Sequence, residues 1–353
     1  MIVWIVLVGW ILLIRLISGS LETKREKLFF LFMSGIALVF VIGSRYIDLE
    51  GIGDLNFYAR LYFQMPDVPW NDLIGFLDMD PGYLVLNKLC SMAFPHPQTI
   101  VFVEAIICVF FSFRFIYKFC NDVFLGVLCY MTQGLMIFEM TGFRQGIAIS
   151  LCLFAVEFIE RRKLVPFLLI VLLAVSFHST AIVFFPLYFI ANFKPSIRIA
   201  GLYTICYYAL IRVLPDLLLF GSDLTGNDYS EAVTKGTLTG PIINVIFYIT
   251  TIIILLMLSD NSEHNIKNVR YLKWNMCILG LIIYMLRFIS LPFERVSFYF
   301  SGGVMVSLPD AVLAAFDEYH RKIIHTLMVV MFIFLFFVRV YGNAIGDYRF
   351  FWS

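Results

Sequence analysis

Twelve apolar runs follow one another along this chain, each bounded by charged or turn residues, and no stretch of soluble-domain length separates them. A helix satisfies its own backbone hydrogen bonds where water is absent, and about 20 apolar residues cross the hydrocarbon of a bilayer. The runs fall at Ile2 to Ile17, Leu28 to Ser44, Thr99 to Tyr117, Val123 to Met140, Gln145 to Ile159, Leu164 to Phe177, Ser179 to Asn192, Ile197 to Leu214, Thr239 to Leu258, Trp274 to Leu291, Val296 to Phe316 and Ile323 to Tyr341. They predict an all-α, polytopic bundle of about 12 transmembrane helices, a single integral membrane domain over residues 1–353. With 61% hydrophobic and 14% charged residues, against roughly 25% charged in a soluble domain, the chain lacks the surface a water-soluble fold needs. The start, MIVWIVLVGWILLIRL, has no basic front or small-residue cleavage site and reads as a retained first helix.

Orientation follows from the short loops, because Lys and Arg accumulate on the cytoplasmic side. Lys24, Arg25 and Lys27, then Arg114 and Lys118, Arg161 to Lys163, Lys194 and Arg198, Lys267, Arg270 and Lys273, and Arg321 and Lys322 all fall on one side if Leu164 to Asn192 crosses twice. That hairpin of two short helices has His178 at its tip. Both termini and the loops 45–98 and 215–238 then lie outside the cytoplasm. The stretch Ser44 to Asp80 of the first loop is acidic, and after Pro81 comes GYLVLNKLCSMAF, long enough for an interfacial helix and too short to span.

A formal net charge of +1, with no local cluster of Lys and Arg, excludes a polybasic nucleic-acid binder. The seven cysteines are scattered through apolar runs without CxxC spacing. No second histidine or cysteine stands at ligand spacing from His178, so no metal and no cofactor is expected. GxGxxG, P-loop, GxSxG and HExxH motifs are missing. The pair Asp78 and Asp80 resembles a metal-dependent sugar-nucleotide motif only superficially, because it falls on the side lacking nucleotides.

The polar residues that abut apolar runs concentrate on the non-cytoplasmic face. Ionisable groups near hydrocarbon are costly and usually face a bundle interior or a watery cavity. In TGFRQG, Arg144 and Gln145 stand at a helix junction, and an arginine there offers a permanent cation with a fork of donors suited to phosphate oxygens. Arg45 and Arg295 have the same placement, and three cations at one face suit a diphosphate headgroup. A snorkelling interfacial arginine is the bland alternative for each. His178, in SFHST, has an ordinary pKa that permits proton exchange at neutral pH, although a lone histidine with apolar flanks also fits a hydrogen-bonded core position. Asp54 and Asp80 are the acidic candidates, for general-base work or for holding sugar hydroxyls. Glu104, Glu139 and Glu157 read as partners for the arginines or as interface residues, and Asp347 and Arg349 in the tail GDYRFFWS accompany aromatics that anchor at an interface.

On Arg45 followed by GIGDLNFY, and on DPGYLVLNKL, TGFRQGIAISLCLFAVEFI, AVSFHSTAIVFFPLY and ERVSFYF, the chain resembles the EpsG family, the Wzy-like polymerases of exopolysaccharides and O-antigens. TGFRQ with FHST is the specific part of the resemblance. It implies a GT-C-like fold and a multi-pass protein of the bacterial inner membrane. It also implies an inverting glycosyltransferase that joins undecaprenyl-diphosphate-linked oligosaccharide repeats on the outer face, alongside a flippase and a chain-length regulator. In that chemistry Arg45, Arg144 and Arg295 stabilise the diphosphate, Gln145 is a further substrate-binding residue, His178 is the first choice of base, Asp54 is the next, and Asp80 orients sugar. A flippase for the same lipid-linked oligosaccharides and an O-antigen ligase are the competing readings.

Overall fold

The computed structural model describes residues 1–49, 54–194, 196–199, 201–203, 205–206, 208–209, 212–213, 242–257, 264–288, 291–342 and 344–352. Helix dominates, and the β-structure among the described residues is a single antiparallel bridge between Arg45 and Phe350. The chain divides into two compact units, Met1–Ile182 with Glu318–Ser353, and Val183–Asp317.

The first unit is built from α1 (Ile2–Ile17), α2 (Lys24–Gly43), α3 (Asp54–Gln64), α4 (Pro81–Ala93), α5 (Gln98–Phe119), α6 (Val123–Thr132), α7 (Leu135–Glu139), α8 (Phe143–Glu160), α9 (Leu164–Phe177) and, from the end of the chain, a helix over Glu318–Tyr341. A capping box opens α2: Thr23 Oγ1 accepts from the Glu26 backbone N–H at 3.2 Å, and the Glu26 carboxylate accepts from the Thr23 N–H at 3.2 Å. The helix α5 packs on both α2 and α8. Lys27, near the start of α2, donates to the carbonyl of Asn121, just past the end of α5, while Gln98 at the start of α5 donates to the Gly43 and Arg45 carbonyls at the end of α2. The two helices therefore run antiparallel. At the finish of α5, Arg114 binds Glu157 near the finish of α8, so α5 and α8 run parallel.

The loop 45–98 holds more structure than the single helix expected after Pro81. That helix is present as α4, with Asp80 at its N-cap and Pro81 at its first position, where a missing N–H costs nothing. Before it come α3 and three short 3-10 turns. Lys88 of α4 is buried and ties these turns down, donating to the carbonyls of Met65 at 2.9 Å and Val68 at 2.6 Å.

Val123 to Met140 breaks at Gly134, whose φ of +96° suits glycine and where a Cβ would run into the Arg339 guanidinium. The expected break at His178 is present: α9 ends there in extended backbone, and a 3-10 segment over Ser179–Phe184 follows. By length and composition, Lys24–Gly43, Gln98–Phe119, Tyr271–Phe288 and Glu318–Tyr341 suffice to cross a membrane, and Pro292–Phe300 with Gly302–Ala314, bent by 57°, makes a fifth if taken as one span. Five shorter apolar helices accompany them, so the described helices support a membrane protein without reaching twelve full-length spans. The run Ile197 to Leu214 falls partly, and the loop 215–238 wholly, outside the described residues.

The second unit comprises α10 (Leu187–Ile190), α11 (Ile242–Met257), α12 (His264–Met285), α13 (Pro292–Ser297) and α14 (Gly302–Ala314). Tyr203, Leu255, Trp274, Ile278 and Ala311 form its core. Asn275 is fully buried and hydrogen-bonded, donating to the Tyr271 and Phe193 carbonyls and accepting from the Tyr203 hydroxyl at 2.8 Å.

Candidate functional site

Three sequence motifs and the start of α3 meet at one end of the first unit. Asp80 occupies the N-cap of α4, yet its carboxylate does not cap that helix. It reaches instead across to α8, where Arg144 Nη1 donates to Asp80 Oδ2 at 2.6 Å. Arg144 stands in the first turn of α8, a position the helix dipole makes unfavourable for a cation, and the Asp80 carboxylate offsets that cost. Its Nε donates to the Tyr58 hydroxyl at 2.9 Å, and the guanidinium lies 5.8 Å over the Tyr58 ring. The third nitrogen, Nη2, has no hydrogen-bond partner among the described residues.

Tyr58 is wedged against Tyr83 of α4 and Phe143 of α8, at ring separations of 5.0 and 5.3 Å. Burial raises its hydroxyl pKa, against the opposing pull of Arg144. Asp54 lies one turn earlier on α3 and is exposed, with no ion pair among the described residues. Tyr58 thus joins Asp54, Asp80 and Arg144 into one electrostatic group.

The next residue, Gln145, extends the site to the histidine. Its Nε2 reaches Thr180 Oγ1 at 3.5 Å, and that oxygen lies 2.8 Å from His178 Nδ1. The Thr180 backbone N–H also points at Nδ1, at 3.3 Å. An N–H only donates, so Nδ1 accepts and the neutral ring carries its proton on Nε2. The α4 start is pressed against the same tip: a Cβ on Gly82 would lie 2.8 Å from the carbonyl oxygen of Ser176 and 2.9 Å from its carbon.

Arg45 approaches from behind. It follows the end of α2, is 7% exposed, and holds its guanidinium 5.1 Å over the Phe143 ring. Its Nε and Nη2 are buried without a hydrogen-bond partner. Burial lowers its pKa to about 10, against the upward pull of Glu104. Nearby on α4, Asn87 is fully buried and interacts with the Tyr83 hydroxyl one turn earlier, but neither side chain makes a hydrogen bond of good geometry. Orphaned buried polar groups are rare in folded proteins and call for an explanation.

The pattern of the EpsG family matches residues 2–352, nearly the whole chain. The chain belongs to the EpsG family. No curated protein and no solved structure matches it. In this EpsG-family protein, six of the seven residues singled out from the sequence, Arg45, Asp54, Asp80, Arg144, Gln145 and His178, belong to the first unit and are connected by the contacts above. The seventh, Arg295, is an exposed residue of α13 in the second unit, beside Glu294, which lies 3.4 Å from Arg287. Tyr58, Thr180 and Asn87 are the residues that sequence reasoning missed. Each sits inside a stretch that carried the family resemblance; helical spacing was an available signal for Tyr58, at i+4 from Asp54, and for Asn87, at i+7 from Asp80, whereas Thr180 follows His178 beyond the end of α9.

Proposed function

We propose that this protein is a polysaccharide polymerase that joins undecaprenyl-diphosphate-linked oligosaccharide repeats by inverting glycosyl transfer at the outer face of the bacterial inner membrane. EpsG membership supports a Wzy-like polymerase at the level of the family. The observation that carries the finer reading is the pair of arginines with unused donors, Arg45 and Arg144, beside two carboxylates and a histidine at one end of one unit.

In this reaction an acceptor-sugar hydroxyl attacks the anomeric carbon of the donor. The new C–O bond forms as the bond to the diphosphate breaks, and the leaving diphosphate takes the electron pair. Guanidinium groups already in place for that developing charge lower the barrier, because they need not reorganise as it appears. Arg144 Nη2 and Arg45 Nε and Nη2 are such donors, and the first turn of α8 adds the positive end of its dipole. His178, with its proton on Nε2, serves as another donor to a phosphate oxygen. This reverses the order of bases read from the sequence. The acceptor proton goes to Asp54, which is exposed and unpaired among the described residues, whereas Asp80 is neutralised by Arg144 and fixes its orientation.

Reconstituted protein supplied with synthetic lipid-linked repeat units is expected to release products of two or more repeats in the presence of a chelator and without nucleotide. Arg144→Ala is expected to lower that rate by about 1,000-fold, the upper range for a lost oxyanion donor, with the protein still folded and inserted. A normal product ladder from Arg144→Ala would overturn the diphosphate role. Untranslocated units accumulating on the cytoplasmic leaflet of a deletion strain would favour the flippase instead.

A further inference from the structure

A groove of about 600 Å³ runs between α2 and α5 on the first unit. Its walls are apolar, with Phe32, Ile36 and Phe40 on one side and Phe102, Ile106 and Phe110 on the other. Gly35 is buried at the floor of the groove, where a Cβ would stand 3.6 Å from Val109 and Phe113, at ordinary van der Waals contact. From Leu28 to Phe40 the groove follows α2 for about 18 Å at 1.5 Å per residue, over half the hydrocarbon thickness of roughly 30 Å. It is therefore a slot for a chain lying along the helices.

One end of this slot differs from the other. At the start of α2 the lining includes Arg114, whose charge is already taken by Glu157. At the Phe40 end the C-terminal tail is tied onto the last turn of α2: Tyr348 donates to the Val41 carbonyl at 2.7 Å, Phe351 N–H to the Ser44 carbonyl at 2.9 Å, and Tyr46 N–H to the Arg349 carbonyl at 2.8 Å. The stacked rings of Phe350 and Trp352 stand 6.2 and 6.0 Å from Phe40, and Arg349 is exposed with no ion pair among the described residues. One turn beyond Phe102, Gln98 holds the Gly43 and Arg45 carbonyls. The apolar slot thus leads to the end of the unit where the arginines gather.

On the reading given under Proposed function, we propose that the α2–α5 groove holds the isoprenoid chain of the lipid-diphosphate-linked substrate, its headgroup emerging at the Phe40 end toward Arg45 and Arg349. One slot takes one chain, which fits a single-chain diphosphate lipid, whereas a phospholipid brings two chains. Apolar surface removed from the bilayer gains no hydrophobic energy, so the groove aligns the chain by shape and dispersion contacts and leaves attraction to the charged end.

The test fills the slot in the full-length protein in liposomes. Polymerisation is measured with a repeat unit on a full-length isoprenoid and with the same unit on a chain too short to reach Gly35. For Gly35→Leu the ratio of long-chain to short-chain rate is expected to fall by about tenfold, since the added side chain occupies the slot and removes the shape and dispersion contacts that align the chain. Leu169→Phe, on the exposed side of α9 away from the groove, should leave that ratio at the wild-type value. An unchanged ratio in Gly35→Leu overturns the groove while leaving the polymerase reading intact; no product from the wild type with either substrate overturns the reading itself. A photoreactive polyprenyl diphosphate on the wild-type chain decides the matter if Gly35→Leu does not fold. Labelling of α2 and α5 that excess phospholipid does not displace supports the proposal, and labelling elsewhere, or displacement by phospholipid, overturns it.

Discussion

At the end of the first unit where α5 and α8 finish, Arg114, Lys118, Glu157 and Glu160 close on one another, with contacts of 2.6 Å for Arg114 to Glu157 and 2.5 Å for Lys118 to Glu160. At the end where α2 finishes and α8 begins, Arg45 and Arg144 leave donors unused, and Asn87, Tyr83 and Gln98 add further buried atoms without a hydrogen bond of good geometry. The residue types are much the same, and their satisfaction differs: Arg144 is paired with Asp80, whereas Arg45 keeps two buried nitrogens without a hydrogen-bond partner. A paired network at a helix end anchors and orients. A buried guanidinium kept from pairing is costly to the fold and is retained where a ligand supplies what is missing. On the function proposed above, one end anchors and the other binds, inside one compact unit.

The largest expected effect after Arg144→Ala comes from the packing that sets the binding end. Gly82→Ala places a Cβ against the Ser176 backbone, so α4 must move away from α9 and carry Asp80 off Arg144. Displacements of about 1 Å at a reacting centre cost on the order of 100-fold in rate, and that loss is expected in the reconstituted polymerisation assay. Adding Ser176→Gly should not restore the rate, because the obstructing atoms include the Ser176 carbonyl. A double variant with wild-type turnover would mean that the close approach of these motifs has no part in catalysis.

A smaller effect is expected at Thr180. Thr180→Val keeps the backbone N–H on His178 Nδ1 and removes the hydroxyl that connects His178 to Gln145. Losing a hydrogen bond of about 1 kcal/mol corresponds to roughly a fivefold drop in rate. Acting by position, Thr180 should lower kcat and leave KM for the acceptor unchanged; a change confined to KM would place it on the substrate instead.

The motifs at the binding end were legible in the sequence because each juxtaposes a charge with an apolar run, where a charge is expensive. The contacts among them were not. Arg144 and Asp80 are 64 residues apart, and the sequence offered one as a cation for phosphate and the other as a holder of sugar, with nothing to say that they bind each other. His178 was marked at a helix tip, and α9 does end there, but the acceptor role of Nδ1 depends on the backbone of Thr180. The apolar run through Gly134 looked continuous because hydrophobicity does not register a left-handed glycine, and α3 escaped notice because it is polar enough to read as loop.

The anchoring end supplies the smallest effect and the sharpest check on the comparison. Lys118→Ala removes the partner of Glu160, yet Glu157 keeps Arg114 at 2.6 and 3.1 Å through two parallel hydrogen bonds, with Arg161 at 3.8 Å. A partly exposed lysine pair contributes less than about 1 kcal/mol, so thermal unfolding should shift only slightly and the polymer ladder should match the wild type. Redundancy of this kind is what distinguishes an anchor from a binding site, where each donor has its own acceptor to meet. If Lys118→Ala instead depressed polymerisation as strongly as a substitution at the opposite end, the charges at both ends would serve the same ligand path, and a route across the membrane would displace chemistry at one face as the account of this protein.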